Sequence, residues 1–238
     1  MLNHFSFTPV NYSHTIKTNK MKKKLAIIQL LILIGLSSFS QEVSKDEVSK
    51  KFVIALTAGP SFPVGQYGLM NLNHQESGFA KFGFNLNLNF AYQLEKHFGL
   101  ASSVIYAQHV LNIDELKKLP DFTNAKADHY QYWGVLLGPM ATVNLSKKVL
   151  LDFKFLAGVA SANAPVIKSD SGVISNEKWS DAFVYQYGTD IRYNFNPNVC
   201  FFSNIYYNHT KPVWKLVNGS VEKNMGVFDF NLGFGYNF

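Results

Sequence analysis

The chain has 238 residues, a single cysteine and a formal charge of +6, from 22 lysine and arginine residues against 16 acidic ones. Five of those cations and none of the acids precede residue 41, so the rest of the chain is nearly neutral, with 17 cations against 16 acids. No basic stripe remains, which excludes nucleic acid as a partner. No apolar run exceeds twelve residues, which excludes a helical membrane span, and the lone Cys200 excludes an internal disulfide.

The first forty residues have the composition of an extension and a leader. Residues 1–20 are polar and have no periodicity, which indicates an upstream extension with translation starting at Met21; a disordered tail is the alternative. After Met21, three lysines precede an apolar run at 25–36 and small residues at Ser38 and Ser40. This order predicts a cleavable signal peptide at 21–40. A retained anchor is the alternative, but the run is too short for hydrocarbon of about 30 Å.

Alternating apolar and polar residues recur throughout the rest of the chain, after a short segment at 41–50. Eight segments are long enough to cross a bilayer as tilted strands, and an even number is what bacterial barrels have. They are predicted at residues 52–61, 82–94, 98–109, 130–145, 149–161, 183–195, 199–209 and 228–238. The fourth contains Pro139, which cannot donate to a ladder, so we expect a β-bulge there.

The last segment, FDFNLGFGYNF, has the clearest alternation, with six bulky apolar residues on one face and asparagine, glycine and aspartate on the other. The connections also alternate in length. Residues 95–97, 146–148 and 196–198 form tight turns, whereas about 63–77, 110–129, 162–181 and 210–225 form long polar loops. Short periplasmic turns and long extracellular loops are typical of outer-membrane barrels, and they place both mature termini in the periplasm.

Four features carry a resemblance to a known family: the leader, the AGPSFPVGQYG segment at 58–68, the paired alternating strands and the terminal FGYNF. In these features the chain resembles the small outer-membrane β-barrel proteins of Gram-negative bacteria, and its architecture is similar to that of the OmpA transmembrane domain and OmpX. The resemblance implies an all-β fold, an eight-stranded antiparallel up-and-down transmembrane barrel over residues 51–238, surrounded by outer-membrane lipid. The aromatic end, with Phe234, Tyr236 and Phe238, resembles the signal read by the barrel-assembly machinery. No peptidoglycan-binding domain follows, so a cell-wall anchoring role is not implied. We expect a monomer without cofactors.

Four charged residues are predicted to face the lumen: Asp152 and Lys154 on the fifth strand, and Asp190 and Arg192 on the sixth. Side chains just fill an eight-stranded barrel, so these residues should pair into a closed structural network. A small gated pore, opened when the pairs rearrange, is the alternative.

Catalysis is not expected, although a lipid-modifying barrel enzyme is the second alternative. Asp128, His129 and nearby serines could form a set like that of the outer-membrane palmitoyltransferase, but such triads are defined by geometry that a sequence does not give. No histidine pair has metal-ligand spacing, so no metal site is predicted. The extracellular partner is not predicted. Trp179 and Trp214, in the predicted outer loops, are candidates for contact with it, and packing of each ring within its own loop is the alternative.

A secreted soluble barrel of the lipocalin type would also have eight alternating strands, with its apolar face turned inward. The uninterrupted bulky face and the asparagine- and glycine-rich opposite face favour the membrane. We therefore predict an outer-membrane protein that acts in structure or in surface interaction through four loops.

Overall fold

The computed structural model describes residues 51–74, 76–118, 122–169, 172–175, 178–216 and 219–238. The predicted extension, signal peptide and N-terminal segment end at residue 50 and lie outside the described residues. Within the described ranges, no helix is long and apolar enough to cross a membrane.

Eight long strands close into one antiparallel barrel, as the alternation predicted. In chain order the elements are β1 (Phe52–Val64), β2 (Ala80–Glu95), β3 (Phe98–Leu111), α1 (Ile113–Leu116), β4 (Lys126–Ala127), β5 (His129–Asn144), β6 (Val149–Ala164), β7 (Ile167–Ser169), β8 (Gly172–Ser175), β9 (Lys178–Asn194), β10 (Val199–Thr210), β11 (Val213–Leu216), β12 (Gly219–Glu222) and β13 (Met225–Asn237). Around the barrel the order is β1, β13, β10, β9, β6, β5, β3, β2.

The first and last strands form the closing seam. Ala55 is the register partner of Gly235, and Leu56 is the partner of Phe234. The backbone N–H of Phe238 donates to the carbonyl of Phe52 at 2.8 Å, so pairing continues to the last residue. Because the barrel is closed, none of its eight strands has an unpaired edge. Hydrocarbon requires this, since it cannot satisfy free backbone N–H and C=O groups.

The strands extend beyond their predicted ends on the side of the long connections. β9 begins at Lys178 rather than at residue 183, and its pairing with β6 continues through Asn163 and Trp179 to Ala164 and Lys178. Much of the predicted loop at 162–181 is therefore strand. The alternation of apolar residues stops before the backbone ladder does, because apart from Trp179 the outer part of these two strands carries polar and small side chains on both faces.

The bulge predicted at Pro139 is wrong. The register between β5 and β6 is the same on both sides of this proline, with Leu137 opposite Ala157 and Met140 opposite Lys154. Pairing to β6 is interrupted at Gly138 and Pro139 without an inserted residue, while Pro139 stays opposite Leu100 of β3. The missing N–H therefore removes a ladder contact locally.

The two faces of the barrel have opposite chemistry. Residues pointing inward are mostly polar or small, and many of them are fully buried. The outward face carries exposed large apolar side chains on every barrel strand, among them Leu56, Phe82, Phe84, Leu100, Val104, Trp133, Leu137, Phe153, Phe155, Phe183, Ile191, Ile205, Phe230, Leu232 and Phe234. An apolar outer belt around a polar interior is the arrangement of a barrel that lies in hydrocarbon.

The ends of the barrel differ in structure. The turn end has the three short connections and residues 51 and 238, whereas the loop end has the four long ones. At the loop end β4, β7 and β8 form a small sheet, and β11 and β12 form a hairpin. Loop 1 is the connection between β1 and β2 (residues 65–79). It starts at Gly65 with a left-handed φ of 61° and returns at Phe79 with a φ of 52°.

Candidate functional site: the lumen and the loop end

The four charged residues predicted to face the lumen lie together on β6 and β9. Nη2 of Arg192 is 3.2 Å from Oδ2 of Asp152, and Lys154 forms an ion pair with Asp190. None of the four side chains is more than one-tenth exposed. A buried charge without a partner costs free energy. Here each acid is neutralised by the cation of its own pair, so this level of the lumen carries no net charge.

Two hydroxyl groups complete this charge network. Thr142 of β5 donates through Oγ1 to Oδ1 of Asp152 at 2.6 Å, and the phenol of Tyr206 on β10 donates to Asp190. Sequence reasoning missed both residues because it gave no register between neighbouring strands. For Tyr206 a signal existed, since it shares the polar face of its strand with Asn204 and Asn208.

A second buried cluster, which the sequence did not predict, lies nearer the loop end. Oγ of Ser61 is 2.5 Å from Oδ1 of Asp229 and 2.8 Å from Nε2 of His109, while the phenol oxygen of Tyr67 is 3.2 Å from Nδ1 of His109. Asn208 donates to the other oxygen of Asp229 at 2.6 Å. These five side chains, from four barrel strands and loop 1, are buried.

The hydrogen bonds of this cluster run in one direction. While Asp229 is ionised its carboxylate only accepts, so the single hydroxyl hydrogen of Ser61 points to Asp229. Nε2 of His109 must then donate to Ser61. The phenol hydrogen of Tyr67 needs Nδ1 as its acceptor, and a ring that makes both bonds is neutral with its hydrogen on Nε2. Nδ1 is left as an acceptor for the phenol of Tyr67. The chain of donors therefore runs from Tyr67 through His109 and Ser61 to Asp229.

This cluster contains the residue types of a hydrolytic triad without its geometry. In a triad the carboxylate orients the histidine, and the histidine accepts the proton of the serine. Here Asp229 binds the serine directly, and the other ring nitrogen of His109 faces Tyr67 rather than a carboxylate. His109 cannot accept the proton of Ser61 while it donates to the same oxygen.

Carboxamide side chains occupy much of the remaining lumen wall. Asn89 donates to Thr57 at 3.1 Å and accepts from Ser103 at 2.9 Å. In contrast, Asn204 and Asn231 are buried with no hydrogen-bond partner among the described residues for either end of the amide. Buried polar atoms without protein partners are the usual sites of internal water, so this part of the lumen is suited to hold water.

Loop 1 is fastened over the mouth of the barrel. Its Tyr67 is fully buried, with ring contacts to His109 at 5.3 Å and to Tyr130 at 5.2 Å. The phenol of Tyr130 donates to the carbonyl of Gly78 at 3.0 Å. From the far side of the barrel, Nζ of Lys223 donates to the carbonyls of residues 76 and 77 at 3.0 and 2.9 Å.

Burial affects the ionisation of two groups at the loop end. It raises the pKa of the Tyr67 phenol well above its ordinary value, with the nearby phenols of Tyr130 and Tyr132 adding to the rise. The pKa of Lys223 is lowered by burial, an effect that Glu76 partly opposes. Tyr67 therefore remains a hydrogen-bond donor at physiological pH.

The burial of Trp214 and the position of Trp179 differ from those expected of two exposed loop residues. Trp214 is buried on β11, and its Nε1 donates to the carbonyl of Ala162 at 3.1 Å. It packs the β11–β12 hairpin against the barrel, so the interpretation of Trp214 as an exposed anchor is wrong. Trp179 is about half exposed, but it lies on β9 opposite Asn163 rather than in a loop.

The alternative set around Asp128 is not assembled. Asp128 is exposed just before β5, whereas Nδ1 of His129 is buried with no hydrogen-bond partner among the described residues. In the described part of the chain no group of three or more histidine, cysteine or acidic residues is arranged to hold a metal ion.

The three aromatic residues of the proposed assembly signal all point outward. Phe234, Tyr236 and Phe238 are exposed on β13 and just beyond it, and the last two rings are 4.8 Å apart. The phenol oxygen of Tyr236 accepts a hydrogen bond from Asn198 in the turn before β10. The structure thus fixes the place of these rings at the turn end, and their role in assembly stays a prediction.

A closed eight-stranded antiparallel barrel with an apolar belt outside and paired charges inside defines a small transmembrane β-barrel of the outer-membrane type. This class follows from the orientation of the chain's own side chains.

No protein-family model matches the chain, and no curated protein matches it. Solved structures that are similar to it are outer-membrane or surface proteins. The attachment invasion locus protein Ail of Yersinia pestis is 16% identical, with a TM-score of 0.47 over 79% of this chain and 99% of that one. Neisserial surface protein A is 14% identical, with a TM-score of 0.49 over 81% and 100%. A major outer membrane protein from Thermus thermophilus is 13% identical, with a TM-score of 0.48 over 79% and 98%.

Proposed function

We propose that this chain is a non-catalytic outer-membrane barrel that acts at the cell surface through its loop end, with that end extracellular and the turn end periplasmic. Loop 1 carries the proposal. It exposes three large apolar side chains, Leu69, Met70 and Leu72, at the far end of the molecule from the turns. Neighbouring exposed apolar residues on a loop often mark a contact site.

Hydrogen bonds and ring contacts hold the backbone of loop 1 in place around these three residues. Besides the contacts of Tyr67, Tyr130 and Lys223, the N–H of Phe79 donates to the carbonyl of Leu69 at 3.0 Å. Asn112, at the end of β3, approaches Sδ of Met70 with its amide nitrogen at 3.2 Å. A fixed apolar tip loses little conformational entropy on binding, which favours a role in contact at neutral pH.

The closed lumen supports a role without catalysis. Ser61, His109 and Asp229 are fully buried beneath Tyr67, so a substrate does not reach them while loop 1 is in place. Their hydrogen bonds also run in the direction opposite to that of an activated serine. We therefore assign the lumen to stability and the loop end to function.

The test uses a deletion strain complemented with three forms of the protein and assayed for adhesion to polystyrene, a defined hydrophobic surface. The wild-type chain should restore adhesion, and the double variant Leu69→Ser with Leu72→Ser should not. A matched control carries Val213→Ser with Val221→Ser, two equally exposed positions on the β11–β12 hairpin. Each form must first show the heat-dependent gel shift of a folded barrel. Equal adhesion by the loop 1 variant and the wild type would show that loop 1 is not the contact.

A further inference from the structure

Tyr67 is held by a hydrogen bond that depends on the charge state of a histidine. Its phenol has one hydrogen-bond partner among the described residues, Nδ1 of His109, and both side chains are fully buried. The ring must be neutral to accept this bond, because its other nitrogen already donates to Ser61. The closed position of loop 1 therefore requires an uncharged imidazole.

A proton added to His109 reverses the contact. Nδ1 would then carry a hydrogen that points at the phenol oxygen of Tyr67, and the phenol would have to turn its own hydrogen away. No other acceptor for it exists among the described residues, so the hydroxyl would be buried without a partner. Lifting loop 1 instead gives both the imidazolium and the phenol access to water.

We propose that the contact between Tyr67 and His109 is an acid-released latch, which holds loop 1 over the lumen at neutral pH and frees it when His109 is protonated. A histidine in water changes charge near neutral pH, and burial without a carboxylate partner moves that change to more acidic pH. Release would uncover the carboxamide-lined lumen, where Asn204 and Asn231 have no partners among the described residues. The inference rests on the buried contacts of loop 1 and does not require that the loop binds a partner.

Few charged groups face His109 from the elements packed around it. Asp229 on β13 is the nearest carboxylate and reaches the ring through Ser61 of β1. From β5 the residues facing the ring are Tyr130 and Tyr132, with His129 next to them at the start of the strand, and β2 contributes Gly83. Deeper in the lumen the charges are already paired, as Lys154 with Asp190 and Arg192 with Asp152. Loop 1 itself carries His74 and Glu76, and Lys223 binds its carbonyls.

Tyr132 covers one face of the His109 ring. It stacks on His109 with an angle of 11° between the ring planes and a centroid distance of 6.2 Å, and its hydroxyl is buried with no partner among the described residues. Among the described residues, the direct partners of the His109 ring nitrogens are thus Ser61 and Tyr67. Neither of them is a carboxylate that would neutralise an imidazolium by direct contact.

Amide hydrogen exchange of the folded barrel in detergent micelles tests the latch. Three amides report on it, those of Gly78 and Phe79 in loop 1 and of Ala80 at the start of β2, which donate to the carbonyls of Gln66, Leu69 and Tyr67 in loop 1. After correction for the intrinsic effect of pH, their protection should fall about tenfold or more between about pH 7 and about pH 3.5, since burial moves the charging of a histidine to more acidic pH. Amides in the middle of β2 should keep their protection. Unchanged protection of loop 1 over this pH range would overturn the proposal.

Three variants separate the latch from other titrating groups. His109→Gln keeps a donor and an acceptor without titrating, so loop 1 protection should no longer depend on pH. Tyr67→Phe removes the hydrogen bond and should lower protection already at neutral pH. His74→Gln is the matched control, because it replaces the histidine of loop 1 that lies outside the latch, and it should behave like the wild type. A pH response that survives in His109→Gln would assign the effect to another group, such as His74 or the carboxyl of Asp229 that binds Ser61, and would refute the latch.

A measurement on the wild-type protein covers the case in which His109→Gln does not fold. In ¹⁵N-histidine NMR spectra at neutral pH, His109 should be neutral with its hydrogen on Nε2. A charged ring, or a hydrogen on Nδ1, would contradict the direction of the hydrogen-bond chain on which the latch depends.

Discussion

Asp152 and Asp190 lie directly opposite each other on neighbouring strands, and each carboxylate is bound by a cation that belongs to the other's strand. Like charges at opposed positions destabilise a sheet. Here Arg192 stands two residues from Asp190 and reaches across to Asp152, while Lys154 stands two residues from Asp152 and reaches across to Asp190. The repulsion between the acids is thus converted into two crossed ion pairs that join β6 to β9.

Replacing Arg192 by alanine should destabilise the barrel strongly. Asp152 would keep only the hydroxyl of Thr142, and removing one partner of a buried ion pair typically costs about 3–5 kcal/mol. Urea unfolding of the refolded barrel in micelles should show a loss of this size, together with a lower melting temperature. Lys96→Ala, in the exposed turn between β2 and β3, is the control and should have little effect. A melting temperature equal to that of the wild type would mean that Arg192 is not buried with Asp152.

A double-mutant cycle can measure the interaction between Lys154 and Asp190, the second ion pair. Lys154→Met leaves the carboxylate of Asp190 buried with the phenol of Tyr206 as its remaining partner, and Asp190→Asn leaves a buried ammonium. The double variant removes both charges at once, so its loss in unfolding free energy should be smaller than the sum of the two single losses. The coupling should lie in the range of about 0.5–3 kcal/mol that is usual for contacting residues. Strictly additive losses would show that the two side chains do not interact.

The alternation of side chains was sufficient to predict the barrel. A period of two over eight segments gave the strands, and the alternation of short and long connections gave their antiparallel order. It also placed Asp152, Lys154, Asp190 and Arg192 on inward faces, where the structure has them. These features depend on local pattern, which a sequence carries directly.

The second cluster could not be predicted in the same way. Ser61, His109 and Asp229 are far apart in the chain, and they meet only because the register of β1 against β13 and the closure of the barrel bring them to one level. Tyr67 comes from a loop, whose path no periodicity describes. Trp214 was misjudged for the same reason, since an apolar residue in a long connection looks exposed until its packing is known.

Gly59 should tolerate no side chain. A Cβ atom at this position would lie 1.9 Å from the carbonyl oxygen of Phe230 across the closing seam, so Gly59→Ala must push β1 and β13 apart. We expect a loss of about 1–3 kcal/mol, as for other overpacked sites, and less heat-shifted protein on gels. Gly65→Ala is the control, because its Cβ would meet nothing within 4 Å. There the left-handed backbone alone should cost about 1–2 kcal/mol. Equal stability of Gly59→Ala and the wild type would contradict the close approach at the seam.

Phe238→Ser should lower the yield of folded barrel in the cell more than it lowers the stability of the folded barrel. The ring of Phe238 is more than half exposed and contacts Phe52 and Tyr236 at the turn end, with centroid distances of 5.8 and 4.8 Å. The loss of these ring contacts should therefore lower the unfolding free energy of refolded protein by only about 1 kcal/mol. If the terminal aromatic residue is read by the assembly machinery, the amount of folded barrel in cell membranes should fall much more. Phe228→Ser, on the same face of β13, is the matched control and should leave the cellular yield close to that of the wild type. A cellular yield for Phe238→Ser that matches this control would show that the terminal ring acts only through its own packing.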